Sequence, residues 1–562
     1  MKKILYVGAA ISAGLFTTGC IEEIDPQSST VTVNQANNAP NAFENFTGAL
    51  TSQLSGKNIY DASKVGSQPN MFGVTSWFIA FDILGQDIVP NYSGDWFSAW
   101  YECSVGLGPG YAYCQYPWTI YYSWIKDCNT VIGNAGETPA EDQRTGVGMA
   151  YAIRAYHYQQ LAQMYAPETY VANPDALTVP LVTEKTEVTA ANNNPRVKSS
   201  EMWSFILSDL DKAEELLADY HPTDKTLPSI NVVYGLKARA YLVLGEWANA
   251  ESYAKKAMEG YSILTEDQYL DRNTGFNTDA NSSWMWSTKF KSDDPCILEN
   301  DADSSWGSFM CLEISHETSG CGYASNYGQQ KCIDYHLYQT IPDTDWRKLC
   351  WIDFSVADST YEGGVKLMEK YSDYPESLYN TPQSSPDDAV YGLGGASVKF
   401  RVAGGAEGRD NQYIGFCVTL PLMRVEEMKL IEAEAAGMQN ESNGINLLTA
   451  FAQTRDPQYV YGQHNEAYGN PNTSKFQNEC WWQRRVELWG EGFATWDIKR
   501  LGKGIIRSYA GTNHLFDYRW NTTSTPTWMT LCIGGTDANY NMAIVQNTVP
   551  TAPVEDSPEF AW

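Results

Sequence analysis

The fold is decided by VVYGLKARAYLVLGEWANAESYAKKAME, residues 232–259. Apolar residues recur here at three- and four-residue spacing on both sides of Gly245, which predicts two helices joined by a turn at this glycine. Ala250, Ala254 and Ala257 are small enough to let the two helix backbones approach closely. We therefore expect an antiparallel helical hairpin.

The hairpin also carries small and bulky residues where a tetratricopeptide repeat has its signature positions. These residues are Ala238, Tyr241, Gly245, Trp247, Ala250 and Ala257. The aromatic residue that such repeats carry at the position of Ala254 is displaced to Tyr253, so a generic helical hairpin stays open as the alternative. Because one repeat unit cannot bury its own faces, neighbouring helical units are expected.

Helical periodicity also covers much of the remaining chain. The segments with this pattern are 119–133, 142–165, 200–219, 424–455 and 475–501. Those before residue 456 predict about six to eight further helices. A mostly α fold follows from this pattern.

Residues 271–420 have a different texture. Glycine, asparagine, aspartate, serine and aromatic residues alternate there without a helical period, which predicts long irregular loops and a few short strands. Irregular stretches of this length in a folded protein are usually functional. We expect three regions after residue 41: an N-terminal helical region (42–270), this loop-rich recognition region (271–420), and a C-terminal helical region (421–562) that completes the same domain.

The N-terminus resembles a bacterial lipoprotein signal. Lys2 and Lys3 precede an apolar run, and Thr17-Thr18-Gly19-Cys20 resembles a lipobox. The pattern predicts that residues 1–19 are removed, that Cys20 is acylated, and that residues 20–41 form a flexible tether. The leucine usual at the position of Thr17 is missing, so an ordinary secretory signal is the alternative.

Cysteine usage leaves the redox state open. Twelve cysteines include no C-x-x-C pair, which disfavours zinc ribbons and thioredoxin-like chemistry. Two pairs, Cys103 with Cys114 and Cys311 with Cys321, are near enough in sequence to form disulfides that cross-link loops. Five cysteines crowd into one glycine- and aromatic-rich stretch of the loop-rich region, where cross-linked loops and reduced core thiols are equally open. They are Cys296, Cys311, Cys321, Cys332 and Cys350.

Composition excludes some classes of partner. The formal net charge is −29, a field that repels nucleic-acid phosphates, so nucleic-acid binding is not expected. The chain has 19 Trp, 36 Tyr and 19 Phe, whereas charged residues make up only 19%. Some of these rings must lie near the surface, where flat apolar faces suit recognition.

Sequence motifs of catalysis are absent. The chain has no H-E-x-x-H helix, G-x-S-x-G elbow or phosphate-binding G-x-x-x-x-G-K-[ST] loop, and we expect no cofactor. One oxygen-rich run could hold Ca²⁺, but its glycine, Gly307, falls one place too late for a calcium loop, which favours a solvated acidic loop. The run consists of Asp293, Asp294, Glu299, Asp301 and Asp303.

The C-terminal region contains WWQRRVELWGEGFATWDIKRLG, residues 481–502. The pattern predicts a helix that is too apolar to be fully exposed to solvent and too charged to be buried without partners for its charges. Partly buried charges need partners, so internal ion pairs are the expected explanation and catalysis by these groups the rival.

Three separated motifs together resemble one known family. They are RR-x-EL-x-x-EG-x-x-x-x-D-x-KR-x-G (484–502), LPLMRVEEMKLIEAEAAG (420–437) and AYAIRAYHYQQLAQMYAP (150–167). This combination resembles the SusD/RagB family of Bacteroidetes outer-membrane lipoproteins. The resemblance implies a scaffold of about four tetratricopeptide-like units, inserted loops that recognise the ligand, and no catalysis.

It also implies a cellular role. Members of this family capture oligomeric nutrients at the cell surface and deliver them to a TonB-dependent, SusC-like transporter. Glu22, Glu23 and Asp25 resemble the signal that exports such lipoproteins to the outer face. The ligand is expected to be an oligosaccharide, neutral in view of the negative charge. Peptide capture by the same fold is the alternative, and a surface hydrolase is a third.

The resemblance also indicates where the ligand should bind. Aromatic residues are expected in the stretch between Asp95 and Trp118 and in residues 276–336. The candidates are Trp96, Tyr113, Tyr116, Trp284, Trp306 and Tyr323. Each ring has an alternative role, burial under its own loop.

Overall fold

The computed structural model describes residues 41–56, 69–91, 94–103, 107–314, 321–354, 394–466, 473–551, 553 and 557–562. The expected leader, Cys20 and all but the last residue of the expected tether lie outside these ranges. No helix within them is both long and apolar enough to cross a membrane.

Helices dominate the regular structure of these residues. The longer helices are α1 (Ala42–Ser52), α2 (Thr75–Asp82), α4 (Ala112–Ala135), α5 (Arg144–Tyr165), α6 (Ser199–Leu216), α7 (Ile230–Leu244), α8 (Trp247–Ala257), α16 (Val425–Gln439), α17 (Glu441–Ala452), α18 (Lys475–Glu487) and α19 (Ala494–Leu501). The short ones are α3 (Ser98–Tyr101), α9 (Glu266–Leu270), α10 (Pro295–Leu298), α11 (Trp306–Met310), α12 (Tyr323–Asn326), α13 (Tyr335–Thr340), α14 (Gly405–Asp410), α15 (Gln412–Gly415) and α20 (Gly535–Tyr540). The prediction of a mostly α fold is confirmed.

The long helices pack side by side in a row. Helix α4 contacts α5, α5 contacts α6, α6 contacts α7 and α7 contacts α8, after which α16 packs on α8 and α17 on α16. Each amphipathic helix thus buries its apolar face against its neighbours. Buried side chains from the N-terminal, loop-rich and C-terminal regions share one large hydrophobic core, and a smaller cluster lies between α16, α17 and α18.

The hairpin predicted from residues 232–259 is confirmed. Ser229 caps α7 by accepting a hydrogen bond from the Val232 N–H, and Gly245 ends that helix in the left-handed conformation, with φ of 71°. A residue with a Cβ is strained at this φ. Glycine therefore permits the tight turn after which α8 runs back along α7.

Short strands connect the loops to this scaffold. They are β1 (Ile88–Pro90), β2 (Leu177–Pro180), β3 (Arg196–Lys198), β4 (Trp284–Lys289), β5 (Lys331–Ile333) and β6 (Thr419–Arg424). They form three antiparallel pairs, β1 with β5, β2 with β3, and β4 with β6. The prediction of a few short strands is therefore confirmed, and β4 and β6 join the loop-rich region to the start of α16.

The C-terminal motif differs from its prediction in one respect. Its residues form two helices, α18 and α19, because Gly490 and Gly492 between them have φ of 75° and 84°. A Cβ on Gly492 would lie 2.5 Å from Cδ1 of Phe78, so the chain passes α2 too closely for any side chain.

The predicted ion pairs among the charged groups of the motif are confirmed, because Asp497 pairs with Arg484 at 2.6 Å and with Arg500 at 3.0 Å. Buried Glu487 forms ion pairs with three arginines from outside the motif. The distances are 2.8 Å to Arg424 and 3.2 Å to both Arg347 and Arg455. Burial opposes charge on Glu487, but the guanidinium groups of these three arginines outweigh it and hold its pKa below the ordinary value. This part of the motif is structural.

The cysteines of the described residues are free thiols. The disulfides that the sequence left open, between Cys103 and Cys114 and between Cys311 and Cys321, are not formed in the structure. The five cysteines of residues 296–350 are buried, where they behave as small apolar side chains.

Candidate functional site

Two loops that are far apart in sequence meet because β1 pairs with β5. The register aligns Pro90 with Lys331. Beyond the strands, the Trp96 N–H donates to the side-chain oxygen of Gln329 at 3.3 Å. Lys331 forms an ion pair of 2.5 Å with Asp95, and both side chains are buried. These contacts bring Trp96 to the segment around Tyr323.

Three aromatic rings form a cluster where the loops meet. The centroids of Trp96 and Tyr323 lie 6.2 Å apart in an edge-to-face arrangement, and those of Tyr323 and Tyr327 lie 5.3 Å apart. Trp96 and Tyr323 are half-buried, whereas Tyr327 is 49% exposed. Tyr323 also stacks at 4.7 Å on Phe309, which is fully buried. We call Trp96, Tyr323 and Tyr327 the aromatic cluster.

A polar rim adjoins the aromatic cluster and consists of Asn300, Asp301 and Tyr413. All three residues are exposed. The Tyr413 hydroxyl donates to Asp301 Oδ1 at 3.2 Å, and the side chain of Asn300 hydrogen-bonds to Tyr323. The rim thus extends the cluster with an amide, a carboxylate and a hydroxyl, which are groups that recognise hydroxyl-rich ligands.

The backbone of the rim is strained. Asn300, Asp301 and Ala302 have φ of 50°, 53° and 63°, a left-handed turn that asparagine and aspartate tolerate better than alanine does. Strained backbone of this kind persists where surrounding contacts fix it, and it concentrates at binding sites.

Buried Asp303 fixes the position of Tyr323. Its carboxylate accepts hydrogen bonds from the Gly322 N–H at 2.6 Å and from the Ser308 hydroxyl at 3.1 Å, and Ser308 in turn accepts one from the Tyr323 N–H. Burial raises the pKa of Asp303 to about 6, although these hydrogen bonds oppose the shift. The same carboxylate helps to raise the pKa of Tyr327, after burial, to about 12. The Tyr327 hydroxyl is therefore a neutral donor at physiological pH.

The structure brings together two of the six predicted rings, Trp96 and Tyr323. Tyr113 is half-buried and packs instead on Trp100 at 5.7 Å and on Tyr116 at 6.3 Å. Tyr116 is itself only 8% exposed.

Two further candidates lie in the core. Trp284 and Trp306 are each 1% exposed, because Trp284 packs on Phe276 and Trp306 on Phe400. A ring without an exposed face cannot stack on a ligand, so we leave these two tryptophans out of the candidate site.

Sequence reasoning missed part of the site. Tyr327 follows Tyr323 by four residues, and that spacing could have suggested it. Asp301 belongs to the acidic run of the sequence, and Asn300 next to it carries no signal of its own. Tyr413 reaches the site from a different segment, and the sequence holds no signal for that contact.

The acidic run itself is engaged by protein groups. Asp294 accepts a hydrogen bond from the Lys291 N–H at 2.6 Å, Asp301 accepts one from Tyr413, and Asp303 is used as described above. Within the described residues, no group of three or more metal-ligating side chains is placed to hold an ion.

Comparison with known families gives two matches. A family model described as "starch-binding associating with outer membrane" matches residues 87–242, and the model of the SusD family matches residues 260–548. The second match spans more than half of the chain and includes both the polar rim and most of the aromatic cluster. The chain belongs to the SusD family, whose members are non-catalytic proteins.

Individual relatives are distant in sequence. A SusD-like protein of Formosa agariphila is 21% identical over 418 residues, covering 69% of this chain and 72% of the relative. A SusD-like carbohydrate-binding protein of Bacteroides vulgatus is 22% identical, with a TM-score of 0.67 over 89% of this chain and 96% of that one. Surface glycan-binding protein A of Bacteroides thetaiotaomicron, solved with laminarihexaose, is 14% identical, with a TM-score of 0.59 over 90% and 98% of the two chains. These structures confirm the predicted fold.

Proposed function

We propose that this chain binds oligosaccharides at the cell surface without cleaving them and delivers them to a SusC-like, TonB-dependent transporter. The observation that carries the proposal is the aromatic cluster, which presents rings from two loops beside a polar rim. The apolar C–H face of a sugar packs on such rings, while its hydroxyls exchange hydrogen bonds with the rim.

The cluster is also held in place before any ligand arrives. Tyr323 stacks on the buried Phe309, its backbone is bonded to Ser308, and its hydroxyl bonds with Trp96 and Asn300. Rings that are already ordered lose little conformational freedom on binding, which favours affinity. Two relatives support the choice of ligand, since one is described as carbohydrate-binding and another was solved with laminarihexaose.

A neutral glycan suits the charges around the cluster better than an acidic one. Asp301 lies in the rim, Asp303 lies beneath it, and the nearby Lys331 is buried and paired with Asp95. A uronate-rich chain would therefore meet carboxylates with no compensating exposed cation among these residues.

The proposed location follows from residues outside the structure. Acylation of Cys20 after removal of residues 1–19 would hold the protein at the outer membrane, with Glu22, Glu23 and Asp25 directing it outwards. Replacing Cys20 with alanine should release the chain from the membrane fraction and remove the acyl mass from its N-terminal peptide. Unchanged membrane retention of Cys20→Ala would contradict the anchor.

The binding proposal is tested with a panel of immobilised polysaccharides, both neutral and uronate-rich, and with a panel of peptides. We expect retention by at least one neutral glycan, weaker retention by uronate-rich chains, and no release of reducing ends on prolonged incubation. Retention by peptides alone would transfer the ligand assignment to peptides, and release of reducing ends would contradict binding without cleavage.

The transporter is tested separately by purifying the full lipoprotein from its own membranes after mild cross-linking. A TonB-dependent transporter of the SusC type should be recovered in comparable amount. Recovery of the lipoprotein alone would contradict this part of the proposal.

A further inference from the structure

Two cysteines 418 positions apart in the sequence meet in the interior of the fold. Cys114 lies in the first turn of α4, and Cys532 lies in the segment that follows the short 3-10 helix Thr527–Met529. Both side chains are fully buried. Each thiol acts as a side-chain hydrogen-bonding partner of the other. Cys114 Sγ also donates to the carbonyl of Leu107 at 2.6 Å, and Cys532 Sγ to that of Thr548 at 3.8 Å.

The backbones on both sides of this contact are also joined. The Leu531 N–H donates to the carbonyl of Met164 at 2.9 Å, next to Tyr165, whose hydroxyl donates to the carbonyl of Cys114 at 3.3 Å. The Gly535 N–H donates to the carbonyl of Pro109 at 2.7 Å. The segment 531–535 is therefore fixed along the start of α4.

Gly534 shows how close the two backbones are. A Cβ at this position would lie 2.6 Å from Cγ and 3.2 Å from Cα of Gln115, the residue after Cys114. Only a residue without a side chain permits this approach, and the approach is what brings the thiol of Cys532 to that of Cys114.

We propose that Cys114 and Cys532 are a disulfide-forming pair. The oxidant would be a protein disulfide of the thiol–disulfide exchange class, which the proposed export would let the chain meet. One cysteine thiolate attacks the oxidant's disulfide and forms a mixed disulfide, and the second thiolate then displaces the oxidant. Two electrons pass to the oxidant, which leaves as a dithiol with the two protons, and one S–S bond joins α4 to the C-terminal segment.

A buried cysteine of the same helix provides the comparison. Cys128 in α4 has the charged groups of Arg154, Asp127 and Asp209 as its neighbours, whereas Cys114 has a second thiol. Replacing Cys128 with alanine should therefore leave the cross-link intact, which makes Cys128→Ala the matched control.

The test is peptide mapping without reduction after acid quenching and alkylation. One sample is the full chain extracted from membranes. The other is the purified full chain, reduced, unfolded and refolded in a glutathione redox buffer, and it does not depend on where the chain resides in the cell. We expect a linked pair of peptides containing Cys114 and Cys532 that disappears in Cys532→Ala and persists in Cys128→Ala.

Thermal melting supplies a second readout. Reductant should lower the Tm of the wild type by about 2–4 °C and leave that of Cys532→Ala unchanged. A link found only in the refolded sample would support the pair and count against the proposed export. Two alkylated thiols in both samples, or links of either residue to other cysteines, would overturn the proposal.

Discussion

Asp303 shows how one side chain can shape a binding surface that it does not join. It accepts hydrogen bonds from Gly322 and Ser308, and Ser308 accepts one from the Tyr323 N–H. The position of Tyr323, at the centre of the aromatic cluster, thus depends on a buried carboxylate. A buried carboxylate without an ionic partner favours its protonated form.

This arrangement predicts a pH dependence of stability. The folded chain holds the Asp303 proton with a pKa of about 6 against an ordinary value of 3.8. Because the folded state binds this proton more tightly, the contribution of Asp303 to stability falls as pH rises from about 4 to about 6, by roughly 3 kcal/mol in total.

The Asp303→Asn variant measures this effect. It keeps a side-chain carbonyl for the Gly322 N–H but carries no charge, so it should gain stability relative to the wild type when urea unfolding is followed from pH 4 to pH 7.5. Asp293→Asn, at an exposed position of the same loop, is the control. A stability difference between Asp303→Asn and the wild type that is constant over this pH range would contradict the account.

At the scale of elements, glycines decide where helices end. Gly245 lets α8 return along α7, and Gly492 lets the chain pass from α18 to α19 beside Phe78. Both have positive φ, but they differ in their surroundings. A Cβ on Gly245 would be 3.3 Å from Val171, whereas one on Gly492 would be 2.5 Å from Phe78.

Alanine at each position should therefore have a different effect. Gly245→Ala should lower the free energy of unfolding by about 1–2 kcal/mol, the cost of a left-handed alanine. Gly492→Ala adds a steric clash and should cost about 3 kcal/mol or more. Gly110, where a Cβ meets nothing within 4 Å, provides the control in urea titrations. Equal effects of the two alanines would contradict this interpretation.

These elements also mark what the sequence can predict. The hairpin at 232–259 follows from a local pattern, the apolar period around Gly245, so it is predicted with its turn. The break at Gly490 and Gly492 lies inside an equally good apolar period, and the close contacts that require it, with Phe400 and Phe78, come from distant parts of the sequence. Local patterns therefore predict helices better than they predict helix ends.

The same distinction applies to the candidate site. Trp96 and Tyr323 could be chosen from family resemblance and composition, but their burial depends on β1 pairing with β5. Trp284 and Trp306 were equally good candidates by the same criteria, yet Phe276 covers the ring of Trp284 and Phe400 covers that of Trp306. Contacts between distant segments decide which aromatic residues reach the surface. These contacts cannot be predicted from the local pattern of a single sequence.

At the scale of the whole molecule, a buried network of charges ties distant segments together. Glu487 in α18 meets Arg347, Arg424 and Arg455, which come from three other parts of the chain. Removing one partner from such a network leaves buried charges unpaired, which is more damaging than the pairs are stabilising.

Glu487→Gln should therefore destabilise the fold by about 3–5 kcal/mol, measured as a shift in the urea midpoint. The exposed pair of Lys185 and Glu137 offers a control, since Glu137→Gln should leave the midpoint unchanged because water screens the pair. A Glu487→Gln protein as stable as the wild type would show that the network is not required for the fold.

The proposed function depends on ordered aromatic rings that bind a glycan which the protein does not cleave. Its most direct test is calorimetric titration of wild type, Trp96→Ala, Tyr323→Ala and Tyr540→Ala with the neutral oligosaccharide retained best in the panel. The backbone bonds of residue 96 to Asn70 and Gln329 do not need the ring, and Tyr540, 74% exposed outside the candidate site, is the control. Trp96→Ala and Tyr323→Ala should each weaken binding at least tenfold, about 1.4 kcal/mol or more, while Tyr540→Ala binds as the wild type does. Unchanged affinity in both cluster variants would contradict the account.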